Sequence, residues 1–387
     1  MIKHHVAKKI VLAVALGCAS FSSLAEITLL EQDPQAGDPL SRLKFQVGGS
    51  IRPQFIDEMG NSDKGSYKRN GYDGGTRFRF SADYYLFDDV SLIGYYELGV
   101  NVPALFNWDN HYADGAANTD RRMLFGGLKS ATWGTLTYGK QNSIYYTVVG
   151  AKTDIWDFDM QAQAPGNGYN GNYDGSYRSY NLVQYKNTFG PVDLYVGGVL
   201  HDDSHPAGVN NGNPLRYQRK GGGALGVDYH ITDELTWGTA YSYIQQSIKQ
   251  NNGADSGKND NGQQLLGSGL SWKPDNWTLA ASAGWYRNFL MTGVKNRHDY
   301  FAGNGYGVEY YAGYTFPISQ YLVKNITPYY AGDRLKFNTG RDYQSNHQTL
   351  GISTKFDYGF QIDVEHVFTN TTDNKSDLNL VRLRYDF

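Results

Sequence analysis

Three acids are spaced through Asp154-Ile155-Trp156-Asp157-Phe158-Asp159, with bulky apolar residues filling the gaps between them. Elsewhere Lys44, Arg52, Arg77, Arg79 and Lys186, with Asp83, Glu97 and Asp193, fall on separate segments that alternate polar with apolar. Fixed acids held opposite fixed bases set a field across the space between them, which sorts ions and orients dipolar solutes. The apolar residues suit a segment that docks against a wall, and the bases suit the wall. Bond-making chemistry has little support. No Ser/His/Asp trio has a recognisable local context, and His201, His205, His298, His347 and His366 are scattered without metal-ligand spacing. Gly221-Gly222-Gly223 opens a strand rather than a helix, so it makes no phosphate cradle. The 257–262 stretch lacks the Asp start and Glu finish of a calcium loop. The expectation is a protein that is not an enzyme and has neither metal nor cofactor.

A chain of 387 residues suggests about two or three ordinary domains on length alone. Composition argues otherwise, with 46 glycines, 32 tyrosines and only 11 prolines. Mean hydropathy is −0.54 and no run of apolar residues is long enough for a membrane helix. Lys+Arg 35 against Asp+Glu 38 excludes a strongly basic nucleic-acid binder. Residues 1–25 read as a secretory signal: Lys3, Lys8 and Lys9, then a short apolar run from Ile10, then Ser23-Leu24-Ala25 at the cut. The exported chain then starts at Glu26, is mildly acidic and has no cysteine, since Cys18 lies in the signal. A rival reading makes Ala15-Leu16-Gly17-Cys18 a lipidation site and the product a surface adhesin or structural lipoprotein. Mass spectrometry of the mature N-terminus separates the two.

The elements that would position the charges are strands. In 43–55 apolar residues or glycine occupy the odd positions and mostly polar ones the even, giving one greasy and one wet face. The same period predicts sixteen segments: 43–55, 75–86, 90–100, 121–130, 134–146, 177–186, 191–200 and 219–230. They continue with 235–248, 261–273, 277–289, 304–316, 325–337, 346–357, 360–369 and 377–387. The alternation is unclear only in 121–130. Connections are long and short by turns, and the strands are long enough to cross hydrocarbon at a tilt. In lipid every backbone group needs a partner, so the sheet must close. The expected fold is all-β, a 16-stranded antiparallel transmembrane β-barrel wide enough to hold water. Tyrosine pairs such as Tyr145-Tyr146, Tyr310-Tyr311 and Tyr329-Tyr330 suit girdles and the lumen rim, because a wide barrel has no aromatic core. The long third connection, 147–176, carries the acids and is expected to fold inward, with a Gly/Asn stretch from Pro165 to Gly175. The expected organisation is 1–25 signal, 26–42 N-terminal periplasmic extension and 43–387 barrel.

Particular stretches carry a family resemblance. Phe125-Gly126-Gly127-Leu128-Lys129 followed by Trp133-Gly134-Thr135-Leu136-Thr137-Tyr138-Gly139-Lys140 resembles a signature of the Gram-negative trimeric general porins, the OmpF/OmpC type. Val183-Gln184-Tyr185-Lys186-Asn187 with Phe189-Gly190 resembles their following strand and turn, and the chain ends in Phe387 as they do. The resemblance implies an outer-membrane channel for passive diffusion of ions and small hydrophilic solutes. It also implies a homotrimer in lipid and lipopolysaccharide, with 101–120 reaching a neighbour. On the family's pattern, Arg77, Arg122 and Lys186 fall on a basic ladder, with Arg79 or Arg52 replacing a lysine whose place Gly48 takes. Thr153-Asp154 matches the third loop's acidic start, but the segment after it is divergent. The candidate constriction is thus Arg52, Arg77, Arg79, Arg122 and Lys186 facing Asp154, Asp157 and Asp159. A sugar- or oligosaccharide-specific channel with aromatic stacking rungs is the alternative within the same architecture.

Overall fold

Along Gly305–Tyr314 the residues Gly305, Gly307, Glu309, Tyr311 and Gly313 are buried, while Tyr306 and Val308 between them are exposed. Trp277–Arg287 repeats the pattern, with Ala280, Ser282, Gly284 and Tyr286 buried and Trp285 exposed. One face of the sheet is therefore enclosed and the other is apolar and open. The computed structural model describes residues 26–35, 37–59, 69–106, 118–159, 162, 171–172, 174–210, 213–250, 257–289, 304–338, 343–372 and 374–387. The expected signal, the middle of loop 101–120 and most of 165–175 lie outside the described residues.

The strands are β1 (Ile27–Leu30), β2 (Leu43–Ile51), β3 (Pro53–Met59), β4 (Arg69–Asp73), β5 (Arg77–Phe87), β6 (Val90–Val100) and β7 (Thr119–Ser130). Next come β8 (Gly134–Asn142), β9 (Arg178–Phe189), β10 (Val192–Val199), β11 (His205–Asn210), β12 (Asn213–His230), β13 (Leu235–Gln250) and β14 (Gly257–Trp272). The last are β15 (Trp277–Arg287), β16 (Gly305–Tyr314), β17 (Phe316–Gln320), β18 (Val323–Phe337), β19 (Tyr343–Phe356), β20 (Phe360–Thr371) and β21 (Asp377–Asp386). The pairs β2/β3, β4/β5, β10/β11 and β16/β17 are each one wall strand broken by a bend, so the wall has sixteen strands. Every ladder is antiparallel, and β21 closes the ring on β2 and β3 through Ser50↔Asp386 and Asp377↔Met59. Closure leaves no open edge in lipid. β1, inside the expected 26–42 extension, pairs with β2 at Ile27↔Val47. Phe387 is bonded to Gly49, so the two chain ends lie in line along β2.

Two departures from the expected strands have simple causes. In β7 the register with β6 shifts between Glu97 and Leu98, leaving Arg122 as an extra residue. That bulge is why alternation fails there. The expected strand 134–146 stops at Asn142. Ser143 caps a short helix, Ile144–Val148, by accepting from the Tyr146 amide at 3.1 Å, and the chain turns off the wall.

Exposed aromatic residues gather beside the short turns: Phe87, Trp133, Phe189, Trp272, Trp277, Phe316, Tyr321 and Phe360. This is the belt expected where ring and headgroup meet. Not every tyrosine belongs to it. Tyr145 is fully buried in an interior cluster with Ile144, Val148, Val149, Leu265, Tyr286, Phe289, Leu335 and Phe337. The expectation of a barrel without an aromatic core is corrected here, because the third loop supplies a second layer for the wall to pack on.

Candidate functional site

The site begins with the room made for the loop. Gly197, Gly226, Gly238, Gly267, Gly284 and Gly307 sit on the successive wall strands β10, β12, β13, β14, β15 and β16. A Cβ on Gly226 would lie 2.6 Å from Ile144 Cγ2, and one on Gly267 would lie 2.6 Å from the Tyr145 hydroxyl. The helix Ile144–Val148 therefore seats in a bed of missing side chains, at van der Waals distance from the strands.

Polar anchors then fix the loop. Lys152 Nζ meets Asp228 Oδ1 at 2.6 Å. Thr153 Oγ1 donates to Glu309 Oε2 at 2.9 Å and lies 2.7 Å from Ser282 Oγ. The Ala162 amide donates to Glu309 Oε1, and Tyr286 donates to the Ala162 carbonyl. Glu365 accepts from the Asp157 amide at 2.5 Å, the Phe158 amide at 3.0 Å and the Tyr329 hydroxyl at 2.6 Å. Trp156 stacks on Tyr311 with centroids 6.1 Å apart. Buried carboxylates are tolerable when their oxygens are bonded in this way.

What the loop leaves open is a cavity of about 560 Å³ against the other side of the barrel. Arg52, Arg77 and Arg122 line it, and so do Asp154, Asp157 and Asp159. Six of the eight residues expected at the constriction thus share one space. Arg79 and Lys186 do not line it: Arg79 reaches Glu97 at 3.6 Å, and Lys186 pairs with Asp193 at 2.9 Å near the short turn after β9. Arg178, Arg382 and Arg384 line it instead and were missed. Their strand parity was readable, since Val381, Leu383 and Tyr385 alternate with Arg382 and Arg384. Arg178 opens β9 straight after the loop.

The acids differ in their partners. Asp157 meets Arg382 Nη1 at 2.5 Å and accepts from Gln54 at 2.6 Å, while Arg382 also reaches Asp363 at 3.0 Å. Asp154 accepts from the Tyr146 hydroxyl. Burial under the loop and the neighbouring Asp154 charge hold the Asp159 carboxyl well above the usual carboxylate range. Burial alone would also raise Asp154, but hydrogen bonds from Asp159 and Tyr146, with nearby arginines, bring it below. The two acids therefore split, with Asp159 the one that keeps its proton to higher pH and Asp154 the one that stays charged. Tyr146 stays a phenol, raised by burial and by Asp154. Glu97 is held by Arg122 at 2.6 Å.

A second cavity, of about 490 Å³, lies across the same strand of loop and shares Asp154, Ile155, Trp156, Arg382 and Arg384 with the first. The two are successive chambers on either side of residues 154–156.

Residues 11–376 match the Gram-negative porin family. Outer membrane porin C of Salmonella typhimurium is 25% identical over 360 residues, covering 86% of this chain and 89% of that protein. Outer membrane protein S2 of Salmonella typhi is 26% identical over 259 residues, and the chain spans 62% of its length. Among solved structures, OmpF of Salmonella typhi superposes with a TM-score of 0.64 at 18% identity, covering 89% of this chain and 98% of that one. The outer membrane channel DcaP of Acinetobacter baumannii gives 0.62 at 13% identity, covering 92% and 100%. The closed sixteen-stranded wall, its apolar outer face and the family match agree: this chain belongs to the Gram-negative porin family of outer-membrane barrels.

Proposed function

We propose that the chain forms a water-filled channel through which ions and small hydrophilic solutes diffuse passively, with no enzymatic step. The observation that carries this reading is the charged cavity of about 560 Å³ inside a closed wall whose outer face is apolar. Charged groups on such a wall are stable beside water and costly in lipid. Arg52, Arg77 and Arg122 facing Asp154, Asp157 and Asp159 form the constriction, with Arg79 and Lys186 as more distant bases of the same lumen. The working unit is a homotrimer in outer-membrane lipid and lipopolysaccharide, released from its signal at Ala25-Glu26.

A stacking ladder for sugars finds less support. Tyr145 is wholly buried under the loop. Tyr311 and Tyr329, which border the second cavity, are largely buried and already packed ring on ring with each other and, for Tyr311, with Trp156. Purified protein in a planar bilayer should open in three equal conductance steps. Absence of ion conduction from a folded, heat-modifiable trimer would overturn the proposal.

A further inference from the structure

Bases and acids on the first cavity are not matched in kind. Each acid there is already engaged: Glu97 by Arg122, Asp157 by Arg382 and Gln54, and Asp154 by Tyr146. Asp73 accepts from the amides of Gly75 and Thr76, and Asp159 bonds to Asp154. Among the described residues, Arg52, Arg77 and Arg178 have no carboxylate within 4 Å. Their bonds go to neutral groups: Arg52 Nε to Ser50 Oγ at 2.7 Å, Arg77 Nε to the Gly75 carbonyl at 3.0 Å, and Arg178 over the Tyr177 ring at 4.0 Å. The fold brings them together. Arg77 pairs with Ser50, the Arg52 amide donates to Thr76, and Arg178 lies opposite Asn142 on the same cavity. The rest of the loop, residues 160–176, contains one acid, Asp174, which is buried away from this cavity and accepts from the Ser176 amide and hydroxyl.

We infer that Arg52, Arg77 and Arg178 form a binding site for small organic dianions, dicarboxylates or phosphate monoesters, at the narrowest part of the channel. This rests on the channel reading above and names the solute class it favours. A guanidinium keeps its charge and presents paired N–H donors that fit carboxylate and phosphate oxygens two at a time. Three of them around one space exceed what a monoanion can satisfy. The route continues past the loop. In the second chamber Lys273 and Lys355 also carry no acid partner among the described residues, so a dianion leaving the arginines meets further positive charge. Facing charges of one sign raise the local concentration of the opposite ion and speed its entry.

The test uses the full-length mature protein in planar bilayers. In a potassium chloride gradient the reversal potential should show chloride preferred over potassium. Succinate and glycerol phosphate should each reduce the chloride current, whereas monomethyl succinate should do so only at about tenfold higher concentration, the loss expected when charge-assisted bonds are removed. The relative half-blocking concentrations of the two dianions tell which headgroup fits better. R178Q, with R77Q as a second variant should the first fail to assemble, should raise the half-blocking concentration about tenfold and move the reversal potential toward potassium. An open channel that prefers potassium, or one that succinate and its monoester block alike, overturns this site and leaves the channel itself standing. A protein that conducts nothing overturns both.

Discussion

The two sides of the barrel interior solve opposite problems. On β12 to β16 and β18 to β20 the wall meets a second layer of protein. There the inward residues are glycines, small side chains, and acids such as Glu309, Asp333 and Glu365 that are almost wholly buried. Each of these acids has a bonded partner; Asp333, for instance, meets His347 Nδ1 at 2.8 Å. Around the arginine cavity the wall meets water, and Arg52, Arg77 and Arg178 have no acid partner among the described residues. A carboxylate shut away from solvent must find a donor in the protein. A guanidinium beside water need not, and is left available for whatever passes. The loop is thus a filler that moves the open path to one side of the lumen, and the charge that matters is on the side it does not cover.

The strongest way to break this contrast is to unseat the filler. Tyr145→Ala deletes a fully buried ring at the centre of the interior cluster and should cost about 3–5 kcal/mol of loop seating. Because the wall ladders do not depend on it, the barrel's heat-modifiable gel shift should persist, while hydrogen exchange across 144–159 accelerates and single-channel conductance rises. The inverse substitution, Gly284→Leu, puts a side chain where Tyr145 and Tyr286 now lie and should give the same phenotype. Unchanged conductance in both variants would mean that the loop does not set the size of the path.

A smaller effect is expected where two amides of the loop hang on one carboxylate. Glu365→Ala leaves the Asp157 and Phe158 amides and the Tyr329 hydroxyl without their acceptor, at about 1–3 kcal/mol for each group that water cannot reach. Single-channel recordings should show flicker between two levels that wild type lacks. Glu365→Gln retains one acceptor oxygen and should fall between the two. A quiet trace from Glu365→Ala would assign the seating to apolar packing alone.

The wall was legible from sequence because membrane and lumen impose a strict period of two on it. Its ends were less so. β12 starts at Asn213 rather than near 219, and β14 at Gly257 rather than near 261. Beyond the hydrocarbon both faces of a strand are wet, so Asn, Gln and Lys replace the alternation while Lys249↔Lys258 and its neighbours stay paired. The acids of the loop were readable as a cluster among apolar anchors. Their partners were not. Arg382 lies 225 residues from Asp157 in the chain, and nothing local singles it out from Arg384 two positions on. Lys186 has the right parity but the wrong height: it is four residues from the short turn at Gly190, whereas Arg178 lies at the loop end of the same strand. Parity is a property of sequence, and height comes only with the register of the closed ring.

The finest distinction between the two sides is the shared proton of Asp154 and Asp159, and it should appear only in selectivity. Asp159 has its pKa raised, so the folded chain holds a proton there that the unfolded chain releases near pH 4. Its contribution to loop seating is therefore complete below the unfolded value and declines as pH rises toward the folded one. Asp154, lowered, keeps its charge as pH falls until well into acid. Between these limits the pair carries one negative charge, and the reversal potential should be flat with pH. Above them a second charge appears beside the arginines and the potential should move toward potassium. Asp159→Asn supplies a permanent amide donor to Asp154 and should abolish the alkaline movement while leaving the plateau in place. If wild type instead titrates in a single step at the ordinary carboxylate pKa, the two acids are independent, and no proton is shared between Asp154 and Asp159 beside the arginines.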